Sequence, residues 1–146
     1  MDKQTSLKLQ IDFLFISKRI KILAIAIIIS IIFVFGFGLT VSYTNIRPQM
    51  YYLNISSIVV CLVLGALSYP LKKVLLKKVT RKNFFSTYFN AHIFPLLLCD
   101  LGGLFCVSTN LFINQNLYLA VGGILVSSIY IILIFPSTKD IKNLEA

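Results

Sequence analysis

Charged residues are scarce in this sequence, and their scarcity excludes most classes of soluble protein. Only 13% of the 146 residues are charged, while 58% are hydrophobic. An ordinary soluble domain carries about 25% charged residues. This composition excludes a soluble globular enzyme, a disordered chain and a small disulfide scaffold. It indicates a protein that crosses a membrane several times.

Residues that bind metals or form disulfides are also rare. The chain has one histidine, His92, and three cysteines, Cys61, Cys99 and Cys106. All three cysteines fall within apolar segments, so neither a disulfide framework nor a metal-ligand spacing is present. No motif brings a nucleophile and a base, or two acids, into one pocket. We therefore expect no metal, no cofactor and no enzymatic catalysis.

Four apolar segments are long enough to cross a bilayer, which takes about 20 residues. Their apolar runs do not alternate with polar residues, as barrel strands would. We predict an all-α membrane protein with a four-transmembrane-helix bundle of two antiparallel hairpins, forming a single domain over residues 1–146. The spans are residues 22–43, 51–69, 93–111 and 117–135. Residues 1–21 and 136–146 are tails, and residues 70–83 form a basic loop.

The basic residues predict the orientation in the membrane. Thirteen of the 14 basic residues fall in the two tails and the loop 70–83, and only Arg47 lies on the other side. Cytoplasmic segments carry the excess of Lys and Arg. We therefore expect both termini to be cytoplasmic in a multi-pass protein of the cell membrane, of the bacterial inner-membrane type. The first span is then an uncleaved signal anchor.

The loop between the second and third spans has two interpretations. Its paired lysines alternate with apolar residues, which suggests a helix that continues past Pro70. In the first interpretation the loop binds anionic lipid headgroups, at about 1 kcal/mol per basic residue. In the second it only determines topology, and its side chains face water. Nucleic-acid binding is not expected. The six basic residues are Lys72, Lys73, Lys77, Lys78, Arg81 and Lys82.

Small residues recur at helical spacing inside the predicted spans. Such spacing allows the backbones of neighbouring helices to approach closely. We predict that the helices pack through Ser57, Cys61, Gly65, Cys99, Gly102, Gly103, Cys106, Gly123 and Ser127.

Asp100 is the one charged residue inside the four predicted spans. It lies about 3 Å from the bilayer midplane, given a rise of 1.5 Å per residue. An Asp at that depth costs about 2.5–3.5 kcal/mol on insertion scales. Its position one turn from Gly103 predicts that it points into the bundle. The candidate hydrogen-bond partners at similar depth are Ser30, Ser127, Ser128 and Tyr130.

Two functions fit this buried acid. In the first, Asp100 binds and releases a proton or cation in the path of an oligomeric transporter, with His92 as a relay. In the second, Asp100 is an interhelix or intersubunit hydrogen-bond link in a structural, assembly or regulatory subunit. The partners are then the lipid bilayer and either further copies of the chain or other subunits of a membrane complex.

The two halves of the chain show a possible tandem parallel repeat. Tyr52-Leu53 precedes Pro70 by the same interval at which Tyr118-Leu119 precedes Pro136. Both halves would cross the membrane in the same direction, as in parallel-repeat transporters. The alternative is that apolar segments resemble each other by composition alone.

Two resemblances bear on the architecture. Four short spans in a chain of this size resemble the small multidrug resistance family of proton-coupled exporters. That family places its essential acid in the first span among tryptophans, whereas this chain has no acid there and no tryptophan. The stretch 91–137 resembles a family of uncharacterised small four-span bacterial integral membrane proteins. In that family an acid in the third span, here Asp100, precedes a terminal Pro-Ser or Pro-Thr, here Pro136-Ser137. This resemblance implies a fold and no activity.

Overall fold

A computed structural model of the chain describes residues 3–41, 50–113 and 115–141, with side chains described from residue 8 onward. These residues contain helices and no strand. The four helices are α1 (Lys3–Val41), α2 (Tyr51–Leu76), α3 (Phe84–Phe112) and α4 (Leu117–Leu133). Short 3-10 helices at Arg81–Asn83 and Thr138–Ile141 precede α3 and follow α4. The predicted all-α class is confirmed.

Three of the four helices are long and apolar enough to cross a membrane. The candidate spans are Lys8–Val41, Tyr51–Leu76 and Arg81–Phe112, the last of which joins the 3-10 helix at Arg81–Asn83 to α3. The fourth, Leu117–Leu133, is a shorter apolar helix of 17 residues. At 1.5 Å per residue it is about 26 Å long, slightly less than the hydrocarbon core of roughly 30 Å.

Helix α1 is much longer than the predicted first span. It runs for 39 residues from Lys3, about 58 Å, so the described part of the predicted N-terminal tail is helical. Phe13, Ile16 and Ile20 in this part are buried, and the Phe13 ring lies 5.9 Å from the ring of Tyr88. Apolar residues three and four apart form one stripe of a helix. The stripe of Phe13, Ile16 and Ile20 therefore packs the part of α1 that precedes the predicted first span.

Helix α2 continues through Pro70 to Leu76 without interruption. The predicted helix beyond Pro70 is therefore present, and it belongs to the second apolar helix and not to a separate surface element. Its last two turns place Lys72 and Lys73 at the end of the bundle.

Helix α3 is the central helix. It packs against α1, α2 and α4, whereas α1 packs against α3 and α4 without comparable packing on α2 in the described residues. A Cβ atom added to Gly102 would lie 3.2 Å from the Cα of Cys61, so α2 and α3 approach to backbone contact. The predicted hairpin of the first two spans is not confirmed, because α1 packs mainly against α3 and not against α2 in the described residues. The two halves of the chain are thus packed differently.

The distribution of polarity is inverted relative to a soluble protein. Large apolar side chains are exposed along all four helices, while Asn54, Ser57, His92 and Asn110 are buried. Water would penalise such an apolar surface, and lipid does not. The arrangement fits a helical protein surrounded by lipid.

Candidate functional site

Asp100 lies at the edge of α3's buried face. Its neighbours one turn away on one side, Leu96 and Gly103, are buried, whereas Leu97 is exposed and Leu104 is partly exposed. Residues three and four apart are neighbours on a helix surface, so Asp100 faces partly outward. The expectation that it points into the bundle is corrected. Gly103, against which Ile31 of α1 packs, occupies the inward position.

The carboxylate of Asp100 is incompletely satisfied. Its Oδ1 atom is buried and has no hydrogen-bond partner among the described residues. A buried acceptor without a donor costs roughly 1–3 kcal/mol. Asp100 is therefore the one acid of this bundle whose position calls for a partner outside the described residues.

The four hydroxyl residues predicted to bond Asp100 are placed elsewhere. Ser127 donates its hydroxyl to the carbonyl of Cys99 at 3.1 Å, because it faces α3 one residue before Asp100. Ser30 is exposed on the outer side of α1, next to the buried Ile31. Ser128 is partly buried, and the ring of Tyr130 packs against Gly65 of α2.

A second acid, Asp140, forms a compact cluster at the end of the bundle where the α2–α3 loop lies. Its Oδ2 atom lies 2.9 Å from Lys72 Nζ, and the two side chains are 13% and 6% exposed. The backbone N–H of Ser137 donates to the same oxygen at 3.0 Å. Tyr88 OH lies 3.4 Å from it. We call Lys72, Tyr88, His92 and Asp140 the Asp140 cluster.

His92 joins this cluster from α3. Its Nε2 atom lies 3.5 Å from Asp140 Oδ2, which is longer than an ordinary hydrogen bond. Its Nδ1 atom lies 3.0 Å from the carbonyl of Tyr88. The ring is fully buried. His92 was predicted as a relay to Asp100, but the acid that it contacts is Asp140.

The surroundings of Asp140 favour its charged form. Burial by itself raises the pKa of this carboxyl. The contact with His92, the Ser137 N–H and the hydrogen bond and charge of Lys72 outweigh burial and lower the pKa to about 2. Lys72 also donates to the carbonyl of Phe135 at 3.1 Å, just after the end of α4. The cluster thus ties the segment after α4 to α2 and α3.

Lys72 therefore departs from the predicted set of headgroup-facing residues. It is buried and paired with Asp140 because it continues the inward face of α2. The other five residues of that set, Lys73, Lys77, Lys78, Arg81 and Lys82, are exposed.

The buried face of α2 consists of polar and small residues along its whole length. The buried residues of this helix follow one another at intervals of three or four positions, and each is polar or small: Asn54, Ser57, Cys61, Gly65, Ser68 and Lys72. They extend over 18 positions, or about 27 Å. We call these six residues the α2 polar stripe. It runs nearly the thickness of a bilayer and ends at the Asp140 cluster.

Side chains of α3 and α4 supply several of the stripe's hydrogen bonds. Asn110 donates from Nδ2 to the hydroxyl of Ser57 at 2.8 Å and to the carbonyl of Cys106 at 2.7 Å. Cys61 Sγ lies 3.4 Å from the hydroxyl of Ser127, and a Cβ added to Gly123 would meet Cys106 Sγ at 2.6 Å. The residues predicted for helix packing, Ser57, Cys61, Gly65, Cys99, Gly102, Gly103, Cys106, Gly123 and Ser127, are all buried here.

Sequence reasoning missed Asp140 and the inward role of Lys72. Two signals were available. Ser137-x-x-Asp140 has the spacing of a capping motif, in which an acid satisfies a backbone N–H three residues earlier. Lys72 follows Ser68 by four positions, so it extends the small-residue spacing of Ser57, Cys61 and Gly65 by two more steps.

Comparisons with known proteins supply no relative. No family model matches the chain, and neither a curated protein nor a solved structure is similar to it at a significant level. The resemblance to small four-span bacterial membrane proteins stays a prediction.

Proposed function

We propose that all four helices cross the bilayer, with both termini and the α2–α3 loop in the cytoplasm. The 17 residues of α4 are at the lower limit of span length. Its packing against α1, α2 and α3 supports placing it at the same depth as those helices. The thirteen-to-one distribution of basic residues supports the orientation.

We further propose that the protein is a structural or regulatory subunit that assembles with another membrane protein through the α3 face around Asp100. One observation carries this proposal: Asp100 is partly exposed at the edge of α3, one turn from the exposed Leu97, and its Oδ1 atom has no hydrogen-bond partner among the described residues. An acid at the edge of a lipid-facing surface is costly. A partner helix that packs on this surface would remove that cost.

The partner chemistry follows from the acid. No Lys or Arg occurs in the apolar part of any predicted span, so the chain itself offers Asp100 no cation at this depth. Intramembrane acids pair with basic residues or with hydrogen-bond donors in neighbouring helices. The expected partner is therefore another membrane protein with a Lys, an Arg or a strong donor near its midplane.

Site-specific photo-crosslinking in native membranes tests this assembly. A photoreactive residue at Leu97, one turn from Asp100, should crosslink to a distinct membrane protein. The same residue at Leu125, which is exposed on α4, is the matched control and should not. Asp100→Leu should lower the Leu97 crosslink more than ten-fold, because losing one partner of a buried charged pair costs roughly 2 kcal/mol or more.

Two results would contradict the subunit proposal. One is equal crosslinking from Leu97 and Leu125, which indicates random collisions. The other is a single product at twice the mass of the chain, which indicates a homo-oligomer and no hetero-complex. Asp100→Asn should retain part of the crosslink, since the amide still bonds a donor or a carboxylate.

A second candidate function is proton transport along the α2 polar stripe. The observation that favours it is the row of polar and small residues on this buried face from Asn54 to Lys72. Because α2 and α3 are in backbone contact at Gly102 and Cys61, the route suits protons passing between hydroxyls and thiols and not larger ions. Asp100 lies outside this route, whereas His92 adjoins its cytoplasmic end.

Proteoliposomes loaded with a pH-sensitive dye test the second candidate. An imposed pH gradient should collapse faster with the protein than in empty liposomes. Cys61→Val should block the flux by interrupting the stripe at its middle, while Val63→Ala on the exposed face of α2 should not. Flux equal to that of empty liposomes would eliminate proton transport and leave the subunit role.

A further inference from the structure

Arg19 of α1 is seated between two exposed aromatic rings. Its guanidinium carbon lies 6.0 Å from the centre of the Phe15 ring, one turn earlier, and 5.9 Å from the centre of the Phe85 ring on α3. The two rings are 64% and 49% exposed. Both distances are within the range of a cation–π contact. The rings therefore restrict where the Arg19 side chain can point while they leave its charge accessible.

A second cation–aromatic pair occurs on α2. Lys73 Nζ lies 4.5 Å from the centre of the Tyr69 ring, and both residues are exposed. Lys73 directly follows the buried Lys72, so it points outward from the same turn of α2. Two exposed cations, on different helices, are thus held against exposed rings.

Helix contacts place the two pairs at the same end of the bundle. Phe13 contacts Tyr88 and the Arg19 guanidinium reaches the Phe85 ring, so this pair lies beside the stretch 84–92, which precedes the hydrocarbon part of the third predicted span. Lys72 meets Asp140 in the cluster that also includes His92, so the neighbouring Lys73 lies close to Ile93, where that hydrocarbon part begins. In the proposed topology both levels belong to the interfacial region of the cytoplasmic leaflet.

We propose that Arg19 and Lys73, each held against exposed aromatic rings, form binding sites for the phosphate groups of anionic lipids. Guanidinium binds phosphate through paired hydrogen bonds, and a tyrosine ring such as that of Tyr69 favours the headgroup level. The surrounding charge is complementary, since Lys18, Lys21, Lys77 and Lys78 are also exposed. Two described acids lie at this end of the bundle: Asp140, which is already paired with Lys72, and Asp12, which lies two turns before Arg19 on α1.

These sites are distinct from general attraction between a basic surface and an anionic leaflet. A mobile surface lysine loses side-chain freedom when it binds a phosphate. The rings around Arg19 have already restricted that side chain, so less freedom is lost on binding. The aromatic residues should therefore contribute to lipid affinity, although they carry no charge.

Lipid retention measured by native mass spectrometry tests the proposal. The full chain is released from nanodiscs of phosphatidylcholine that contain a minor fraction of phosphatidylglycerol, and the bound lipids are counted. Arg19→Gln should lower phosphatidylglycerol affinity about five-fold, which corresponds to about 1 kcal/mol per basic residue. Lys73→Gln should have a similar effect. Lys8→Gln is the matched control, because Lys8 is an exposed base on α1 about 16 Å further from the membrane.

Conservative variants separate a built site from charge alone. Arg19→Lys keeps the charge and loses the paired hydrogen bonds, so it should lose about half of the effect. Phe15→Leu and Phe85→Leu should each lower phosphatidylglycerol affinity while phosphatidylcholine binding is unchanged. Equal losses from Arg19→Gln and Lys8→Gln, or no effect of either ring variant, would overturn the proposal. Circular dichroism confirms that each variant retains its helices.

The proposal rests on the proposed topology only for the choice of leaflet. Both leaflets of the nanodisc have the same composition, so the measurement does not depend on orientation. A reversed orientation, measured separately with reporters at the two ends, would overturn the topology and leave the lipid sites in place.

Discussion

Asp100 and Asp140 have opposite surroundings. Asp140 is largely buried and meets Lys72, His92, Tyr88 and a backbone N–H. Asp100 is partly exposed on α3 and has a buried oxygen with no partner among the described residues. Asp140 is thus paired within the fold, whereas Asp100 is not paired within the described residues. This difference is why we assign a structural role to Asp140 and an assembly role to Asp100.

The contrast also revises the usual emphasis on intramembrane charges. An acid at mid-depth attracts attention because its insertion is costly. An acid in a C-terminal tail does not, yet Asp140 organises the end of three helices. The largest effect on folding is therefore expected from the less conspicuous residue.

The largest effect is expected from Asp140→Asn. This change leaves Lys72 buried without a counter-charge, and breaking a buried ion pair in this way costs about 3–5 kcal/mol. Thermal unfolding in mild detergent measures the loss. The double variant Lys72→Met, Asp140→Leu should recover most of it, because no unpaired charge remains. A single variant as stable as the parent chain would show that the Asp140 cluster contributes little.

Acid should reproduce part of this loss. The pKa of Asp140 is lowered from 3.8 to about 2 in the folded chain, so its contribution is present above pH 4 and disappears as the pH falls through about 2. The linked stability is on the order of 2 kcal/mol. Unfolding measured from pH 6 to pH 2 should show this decline in the parent chain. The decline should be smaller in Asp140→Asn, and parallel curves would contradict the assignment.

A smaller effect is expected from His92→Gln. The 3.5 Å contact with Asp140 is longer than a hydrogen bond, whereas the 3.0 Å contact with the Tyr88 carbonyl is of normal length. Losing contacts of this kind costs about 1 kcal/mol. The thermal unfolding of His92→Gln should be measured together with that of Asp140→Asn, and the two losses of stability compared. A loss equal to that of Asp140→Asn would indicate that His92, and not Lys72, is the main partner of the acid.

The smallest effect is expected from Asp100→Asn in the isolated chain. Since Asp100 has no partner to lose within the described residues, the free energy of unfolding should change by about 0.5 kcal/mol or less. Its effect should appear only when the partner is present, as reduced co-purification from native membranes. Strong destabilisation of the isolated chain would instead place Asp100 in an internal contact and remove the basis for the subunit role.

Local patterns in the sequence predicted the helices and their small-residue faces well. Apolar runs identify the segments of α2, α3 and α4, and small residues such as Cys61 and Gly102 lie where the helices touch. These features depend on residues within one or two turns of each other. The extension of α1 was missed because charged residues such as Lys18 and Lys21 interrupt its hydropathy without interrupting its helix.

The neighbours of each helix were harder to predict. The predicted pair of hairpins places α1 against α2, but α1 packs mainly on α3. Ser127 was expected near the Asp100 side chain and instead bonds the carbonyl of Cys99, one residue away. A one-residue difference on a helix is a rotation of about 100°, so depth along a helix does not determine which side chain a partner meets.

Composition and patterns with the period of a helix were enough to predict that this chain is helical and largely apolar, and that Asp100 is the one acid within its predicted spans. The packing of the helices was needed to show that Lys72 pairs with Asp140, that α3 is central and that Asp100 faces partly outward. Lys72 and Asp140 are far apart in the chain but 2.9 Å apart in space. Such pairings depend on helix rotation and packing distance, which no local pattern specifies.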